Sequence, residues 1–439
     1  MNRFAAAGLL ALFALCACAL PRAAEGAMPA AIAETTAAPQ HASFAPTSEQ
    51  EPAPVLTTPP TVPPEPETRT ARIGAVGDIA LDAKLISVFS NAADDSYCLD
   101  MAYQGMRELI EGVDLMCGNL ETPLAGEDAG YSGNPKTPNA RDPKLNASSY
   151  AFNAPDELAS DLGAAGFDFV STANNHFGDR CHDGVLHTLD VLDGAGLLHA
   201  GTYRSEEERE APCVTEVNGI RIGLLSSSSV FNRLYDIRLS RTPYLICSLN
   251  DRERIETDVR LCREAGAEFI IMFAHWDEEY QTRPSRTTEK KAAWLLSIGV
   301  DAIIGSHPHV VQPVRYVTVE RETGPYTGLV AYSLGNSMML MQRAPMYAQL
   351  FLQLTVQKDA TGAVSLAEAA YMPVFSVQYA ADGAEYFEVL PAWRDADRIR
   401  SIVPGHARVM DFAARAERIV TGICGTEIIP TMEELCSRN

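Results

Sequence analysis

The chain has 439 residues, 46% of them hydrophobic, which is enough for one large core or for two domains. It carries 35 Lys and Arg residues against 57 Asp and Glu residues, so its formal net charge at pH 7 is −22. Because nucleic-acid binding depends on Lys and Arg side chains that neutralise phosphates, this acidic balance argues against nucleic acid as a partner.

Residues 1–24 predict an export segment. Arg3 precedes an uncharged apolar run from Phe4 to Leu20, about the length of a long signal-peptide core and marginal for a membrane span. A Leu-Cys-Ala-Cys segment that ends at Cys18 resembles a bacterial lipoprotein cleavage box, with Cys18 as the lipidated residue. A lipoprotein, an uncleaved membrane anchor and ordinary secretion stay open as interpretations, and all three place the protein outside the cytoplasmic membrane.

Residues 25–70 are mainly Ala, Pro, Thr and Glu, with almost no large apolar side chains. Such a segment buries too little surface to offset the entropy lost on ordering, and its prolines stiffen it. We therefore expect a disordered stalk, with a plain disordered leader as the alternative. The folded domain is predicted at residues 71–378, and a C-terminal extension at 379–439 is expected to pack on it.

The folded domain alternates predicted strands with predicted helices. Strands are predicted at Arg72–Gly77, Val113–Cys117, Phe167–Ser171, Arg221–Ser226, Glu268–Phe273, Val300–Ile304, Leu329–Ser333, Ala348–Val356 and Ala363–Val377. Helices are predicted at Met101–Glu111, Pro155–Ala165, Gly184–Ala195, Arg252–Glu264, Glu289–Ile298 and Arg408–Thr421. This alternation indicates an α/β architecture, with a largely parallel or mixed sheet and helices outside it.

Two histidines follow the predicted strand Val300–Ile304, in the segment Gly-Ser-His-Pro-His that ends at His309. Residues i and i+2 of an extended backbone point to the same side, so His307 and His309 are expected to converge on one site. Considered alone, the segment is also compatible with two polar histidines in a surface turn.

Other polar residues also follow predicted strands, within one to four positions of the strand end. Each has an ordinary explanation by itself, such as a helix cap, a turn or a buried histidine with its hydrogen bonds satisfied. Together they favour a shared site, because α/β sheets bind ligands at the carboxyl ends of their strands. Carboxylate, amide oxygen and imidazole suit Mn, Fe or Zn. The candidates are Asp78, Glu121, Asn175, His176, His275, His307 and His309.

Six motifs, in this order along the chain, carry a family resemblance. They are Gly77-Asp78, Gly118-Asn119-Leu120-Glu121-Thr122-Pro123, Ala173-Asn174-Asn175-His176, His275-Trp276 with Glu279-Tyr280, Gly305-Ser306-His307-Pro308-His309-Val310 and Tyr332-Ser333-Leu334-Gly335-Asn336. They resemble the motifs of the bacterial poly-γ-glutamate capsule-synthesis proteins of the CapA/PgsA type. That family is similar in turn to calcineurin-like metallophosphoesterases, which implies an αββα sandwich of two mixed sheets flanked by helices, with one or two divalent ions.

The resemblance also implies roles for individual residues. It places Asp78 and His309 on the first metal, and His176 as the general acid that protonates a leaving oxygen. It places Asn175, His275 and His307 on the second metal. Phosphoesterases have a bridging Asp at the position of Asn119, and Glu121 resembles the family's replacement for it. Further candidates for the site are Asn119, Glu279 and Asn336.

Two departures from the phosphoesterase pattern affect the first metal. Phosphoesterases carry a His two residues after the first Asp, where this chain has Ala80. Asn119 also cannot bridge two metals as a carboxylate does, so the first metal depends on compensation by Glu121 or Asp82.

Two functional hypotheses follow from the resemblance. In the first, the protein is a metal-dependent hydrolase or transferase that acts on phosphodiester or amide bonds of a cell-envelope polymer such as poly-γ-glutamate. In the second, it is a non-catalytic component of polymer synthesis or export that holds an acidic chain in a metal-stabilised crevice, next to membrane synthase or export subunits.

Overall fold

The computed structural model describes residues 67–91, 96–133, 151–232, 242–341, 343–381, 383–392, 396–403, 408–425 and 432. The predicted export segment, with Cys18, and residues 25–66 of the predicted stalk lie outside the described residues. Within the described part of the chain, no helix is both long and apolar enough to cross a membrane.

One mixed sheet contains seven strands, in the order β15-β14-β13-β1-β4-β5-β6. Strands β1, β4, β5 and β6 run parallel to one another, whereas β13, β14 and β15 join them through antiparallel pairs. The strands are β1 (Arg69–Ile79), β4 (Leu115–Leu120), β5 (Phe169–Ser171), β6 (Leu198–Ala200), β13 (Ala348–Lys358), β14 (Val364–Ala381) and β15 (Ala384–Pro391). A separate small hairpin pairs β2 (Ser90–Asn91) with β3 (Ser96–Tyr97).

A second mixed sheet contains six strands, in the order β11-β12-β10-β9-β8-β7. Strands β8, β9, β10 and β12 are parallel, and the outer strands β7 and β11 pair antiparallel with their neighbours. The strands are β7 (Val214–Val217), β8 (Ile220–Ser228), β9 (Phe269–His275), β10 (Ala302–Ser306), β11 (Val314–Arg321) and β12 (Gly324–Ala331).

In the described part of the chain, seven helices lie between strands in sequence and two follow the last strand, β15. They are α1 (Ala83–Phe89), α2 (Arg107–Glu111), α3 (Glu157–Ala165), α4 (Cys181–Ala195), α5 (Glu206–Glu210), α6 (Arg252–Glu264), α7 (Arg286–Ser297), α8 (Ala396–Ile402) and α9 (Val409–Cys424). Two 3-10 helices span Asp100–Met106 and Glu127–Ala129. The predicted helix Met101–Glu111 is therefore a 3-10 helix that continues into α2.

The two sheets pack face to face. Phe169 of β5 and Phe273 of β9 belong to one buried cluster, and their ring centroids lie 4.9 Å apart. The next residue along β5, Val170, faces the opposite way and packs with α3 in a second cluster. In the other sheet Ile270 likewise packs with α6 and α7. Both faces of these strands are buried, which explains why they appear in the sequence as continuous apolar runs. The α/β sandwich of two mixed sheets with helices outside is confirmed.

The ends of the folded domain differ from the predicted boundaries. Strand β1 begins at Arg69, two residues before the predicted start of the folded domain at residue 71. The domain end predicted at residue 378 falls inside β14. β15 then completes the seven-stranded sheet, and α9 packs against β13 and β14. Residues 379–381 and 384–391 thus belong to the sheet itself.

Candidate metal centre

The site forms where the carboxyl ends of the parallel strands of the two sheets meet. The end of β1 is tied to the loop after β12, because the amide of Asp78 donates to the Gly335 carbonyl at 3.1 Å. A Cβ on Gly77 would lie 1.8 Å from that same carbonyl oxygen, so only glycine permits this approach. The sequence placed the candidate residues on one rim of one sheet. The structure corrects this: they lie on the facing ends of two sheets.

Among the described residues, three groups of possible ligand atoms lie close together in this region, and two of them consist only of buried residues. Asp78, Glu121 and His309 form one, and Glu121, His275 and His307 form the other, with the ligand atoms of each group within 4.8 Å of one another. Glu121 belongs to both. Its Oε1 lies 3.5 Å from Nε2 of His275 and its Oε2 lies 3.9 Å from Nδ1 of His309. Glu121 thus lies between the two groups.

The carboxylate of Glu121 is fully buried, and neither oxygen has a hydrogen-bond partner. Burial, followed by the negative charge of Asp78, raises the pKa of Glu121 well above its usual value. A buried carboxylate without partners is destabilising unless it is protonated or binds a cation. The donor set of carboxylates and imidazoles therefore fits a divalent transition metal.

His275 and His307 have the lone pairs that metal binding needs. Burial lowers the pKa of His275 well below its usual value, and burial together with His309 lowers the pKa of His307 to about 4. Both rings are thus neutral near pH 7, and Nδ1 of His307 is buried without a partner. Burial lowers the pKa of His309 too, but the hydrogen bond to Asp78, the negative charges of Asp78 and Glu279 and the hydrogen bond to Asn336 together raise it above its usual value.

Asn175 lies at the second group. Its Oδ1 is 2.9 Å from Nε2 of His275, the same nitrogen that approaches Glu121. The other ring nitrogen of His275 is 2.9 Å from Oγ of Ser306. The amide oxygen, imidazole and carboxylate therefore point towards a common position.

His307 and His309 converge, with ring centroids 5.9 Å apart. The expected reason, an extended backbone, is wrong: φ is 96° at His307 and 57° at His309. Such values are rare for residues with a side chain and often occur at functional sites. The amide of His307 donates to Oδ2 of Asp78 at 3.2 Å, which helps to hold this conformation.

His176 forms a hydrogen-bonded pair that the sequence analysis missed. Its Nδ1 is 2.7 Å from Oδ2 of Asp179, whose side chain is 2% exposed. The same Asp179 oxygen accepts the amide of Phe152 at 2.7 Å. An ionised carboxylate only accepts hydrogen bonds, so Nδ1 carries the proton. The spacing of three residues between His176 and Asp179 was the signal in the sequence that could have revealed this pair.

Asn119 and Asn336 are placed to orient ligands. Nδ2 of Asn119 donates to Oδ1 of Asp78 at 2.8 Å, while its own oxygen accepts from Ser171. Oδ1 of Asn336 lies 3.0 Å from Nδ1 of His309, and its Nδ2 donates to the backbone of Met346.

Three further positions lie outside the two groups that share Glu121. Glu279 is exposed, with a ligand atom within 4.8 Å of those of His307 and His309. Asp82 accepts the amide of Leu85 at 2.7 Å as the N-cap of α1, and it belongs to neither ligand group containing Asp78 or Glu121. Ala80 is fully buried. Of the two compensating residues considered from the sequence, the geometry favours Glu121.

Known proteins are similar to this chain in sequence. The family model for the "Bacterial capsule synthesis protein PGA_cap" matches residues 72–340. The capsule biosynthesis protein CapA of Bacillus anthracis is 25% identical over 267 residues, which cover 60% of this chain and 58% of that protein. The PGA biosynthesis protein CapA of Bacillus subtilis (strain 168) is 24% identical over 291 residues, which cover 65% of this chain and 68% of that protein.

A solved structure is also similar. The calcineurin-like phosphoesterase YfkN from Bacillus subtilis matches with a TM-score of 0.41 and 14% sequence identity, covering 79% of this chain and 100% of that chain. A similarity this distant indicates nothing about activity.

Proposed function

The chain belongs to the PGA_cap family of bacterial capsule synthesis proteins, and from that premise we propose that it hydrolyses phosphoester bonds with two divalent ions during synthesis of a cell-envelope polymer. The observation that carries the proposal is the carboxylate of Glu121. Its two unpartnered oxygens approach different imidazoles, one on His275 and the other on His309. A carboxylate shared in this way suits two metal positions side by side.

The bound metal, Asp179 and His176 have different roles in the proposed reaction. Bound Mn, Fe or Zn would lower the pKa of a water molecule and neutralise charge on the phosphoryl group. Asp179 accepts a hydrogen bond from Nδ1 of His176 and so holds the ring. When Nε2 also carries a proton, that nitrogen donates it to the leaving oxygen. As the water oxygen bonds to phosphorus, the bond from phosphorus to the leaving oxygen breaks. The leaving oxygen takes the Nε2 proton, the water releases one proton to solvent, and His176 is reprotonated from solvent.

The setting of this reaction is part of the proposal. We place the folded domain outside the cytoplasmic membrane, tethered through the export segment and Cys18 or secreted. The proposed substrate is a phosphoester of a cell-envelope polymer. Poly-γ-glutamate is joined by amide bonds, so a polymer of that type, suggested by a relative that is named a PGA biosynthesis protein, is instead the chain that the second function below would hold without cleaving. Membrane synthase or export subunits are the proposed protein partners.

The test uses the full-length protein, stripped with a chelator and reloaded with Mn²⁺. We expect hydrolysis of bis(p-nitrophenyl) phosphate, and a loss of about 10²–10⁴-fold in rate for His176→Asn with metal content unchanged. Equal turnover by the variant, or no turnover by the metal-loaded wild type, would contradict the proposal.

A second function is favoured by two observations at the first metal position. Ala80 offers no ligand there, and Asn119 directs its amide hydrogens, not its oxygen, at Asp78. The protein would then hold an acidic polymer without cleaving it. Cells that carry His176→Asn and cells that carry His307→Ala separate the two functions: loss of polymer in both supports hydrolysis, and loss only with His307→Ala supports binding.

A further inference from the structure

An apolar pocket of about 320 Å³ lies beside the metal centre. Its inner wall is formed by Ala80, Phe152, Met339 and Met341. Phe152 and Met339 are buried, and these wall residues together form one hydrophobic cluster. The absence of a histidine at position 80 leaves this wall apolar.

Two residues that line the pocket, Phe152 and Met341, contact residues of the metal centre. The Phe152 ring centroid lies 4.5 Å from that of His176, and the Phe152 amide donates to Asp179. On the other side, Nδ2 of Asn336 is 3.6 Å from Sδ of Met341. The pocket therefore adjoins the imidazole that we assign to protonation of the leaving oxygen.

The charged residues at the rim are already engaged. The carboxylate of Asp82 caps α1 through the amide of Leu85, and Nζ of Lys84 donates to Gln378 at 3.0 Å. The interior offers a phenyl ring and two thioethers, which suit uncharged apolar groups of varied shape. Its volume is near the lower end of small-molecule sites, about the size for one ring or a short branched chain.

We propose that this pocket binds an uncharged apolar leaving group of the substrate, either an aromatic ring or a short branched alkyl group. The inference rests on the proposed hydrolysis, because His176 defines the leaving-group side. It assigns a specificity role to Phe152, Met339 and Met341. It also means that a carboxylate side chain of an acidic polymer does not occupy this position.

The pocket can be tested without any metal chemistry. Benzyl alcohol is titrated into full-length protein with ¹³C-methyl methionine, and the signals of Met339 and Met341 are assigned through leucine variants. Ala83→Trp should block the pocket, since Ala83 is exposed and lines its rim. Ser87→Trp, on the same helix but outside the pocket lining, is the matched control.

We expect both methyl signals to shift in the wild type and in Ser87→Trp, and to stay unchanged in Ala83→Trp. No shift in the wild type, or an equal shift in Ala83→Trp, overturns the proposed pocket. This result does not depend on metal binding or on turnover.

The leaving-group assignment needs the metal-loaded protein. Phenylphosphonate should bind roughly ten-fold more tightly than methylphosphonate to the wild type, because the pocket buries its ring. Ala83→Trp should abolish this preference while methylphosphonate binds as before. Equal affinities in the wild type refute the assignment. If neither phosphonate binds, the proposed hydrolysis fails, and the titration with benzyl alcohol still decides whether the pocket accepts an apolar group.

Discussion

Glu121→Gln is the sharpest test of the metal centre. The substitution keeps the shape of the side chain but removes the charge from the carboxylate that the two fully buried ligand groups share. In the protein without metal, it also removes a buried carboxylate that has no hydrogen-bond partner. We therefore expect unfolding of the chelator-treated variant at the wild-type temperature or above it.

The metal-loaded protein should respond in the opposite direction. A ligand at 1,000 times its Kd stabilises a folded protein by about 4 kcal/mol. If the loss of the shared carboxylate weakens metal binding about 10- to 100-fold, the variant forfeits about 1.4–2.7 kcal/mol of that stabilisation. Relative to wild type, Glu121→Gln should thus unfold at the same or a higher temperature without metal, and at a lower temperature with metal. A general folding defect would lower the unfolding temperature in both states.

The assay combines thermal unfolding, with and without Mn²⁺, and elemental analysis of metal content after gel filtration. Glu322→Gln is the matched control, because Glu322 is exposed in the turn between β11 and β12. Wild-type metal content and an unchanged Mn²⁺-induced shift in Glu121→Gln would refute the shared-ligand geometry. A lower melting temperature in chelator would equally contradict the reasoning about the buried charge.

Three further predictions concern other parts of the chain. Asp179→Asn should lower kcat for bis(p-nitrophenyl) phosphate about ten-fold or more and alter its pH profile at unchanged metal content, since the charged carboxylate beside Nδ1 of His176 becomes a neutral amide. An unchanged profile would exclude this role. Burial raises the pKa of Glu388 from 4.5 to about 7, so its contribution to stability is full below pH 4.5 and is lost as the pH rises through 7. Because this side chain is partly exposed, the contribution to the free energy of unfolding is about 1–2 kcal/mol. Glu388→Gln should flatten the pH dependence of Tm measured by calorimetry. An unaltered slope contradicts the raised pKa of Glu388. Cys18→Ser should release the protein from membranes or stall its processing on fractionation, and normal processing with membrane retention would indicate an uncleaved helix.

Much of the fold followed from local sequence patterns. Strands such as Phe269–His275 are short apolar runs, and helices such as Arg252–Glu264 begin at a polar cap, here Asp251 accepting the amide of Arg254. These signals depend on neighbouring residues alone, so one sequence suffices to detect them. The edge strands of the sheets were harder to predict. β15 was not predicted, because its place beside β14 depends on pairing across the sheet.

The sequence by itself determined which polar residues follow strands, and hence that Asp78, Glu121, His275 and His307 gather at strand ends. Only the tertiary structure decided how they combine. The sharing of Glu121 between two ligand groups depends on two sheets meeting face to face, and residues 121 and 275 are too far apart in the chain for any local pattern to relate them. The same holds for the pocket beside His176, whose walls come from segments near residues 80, 152 and 340. Side-chain contacts of this kind arise from packing and register, which a single sequence does not encode locally.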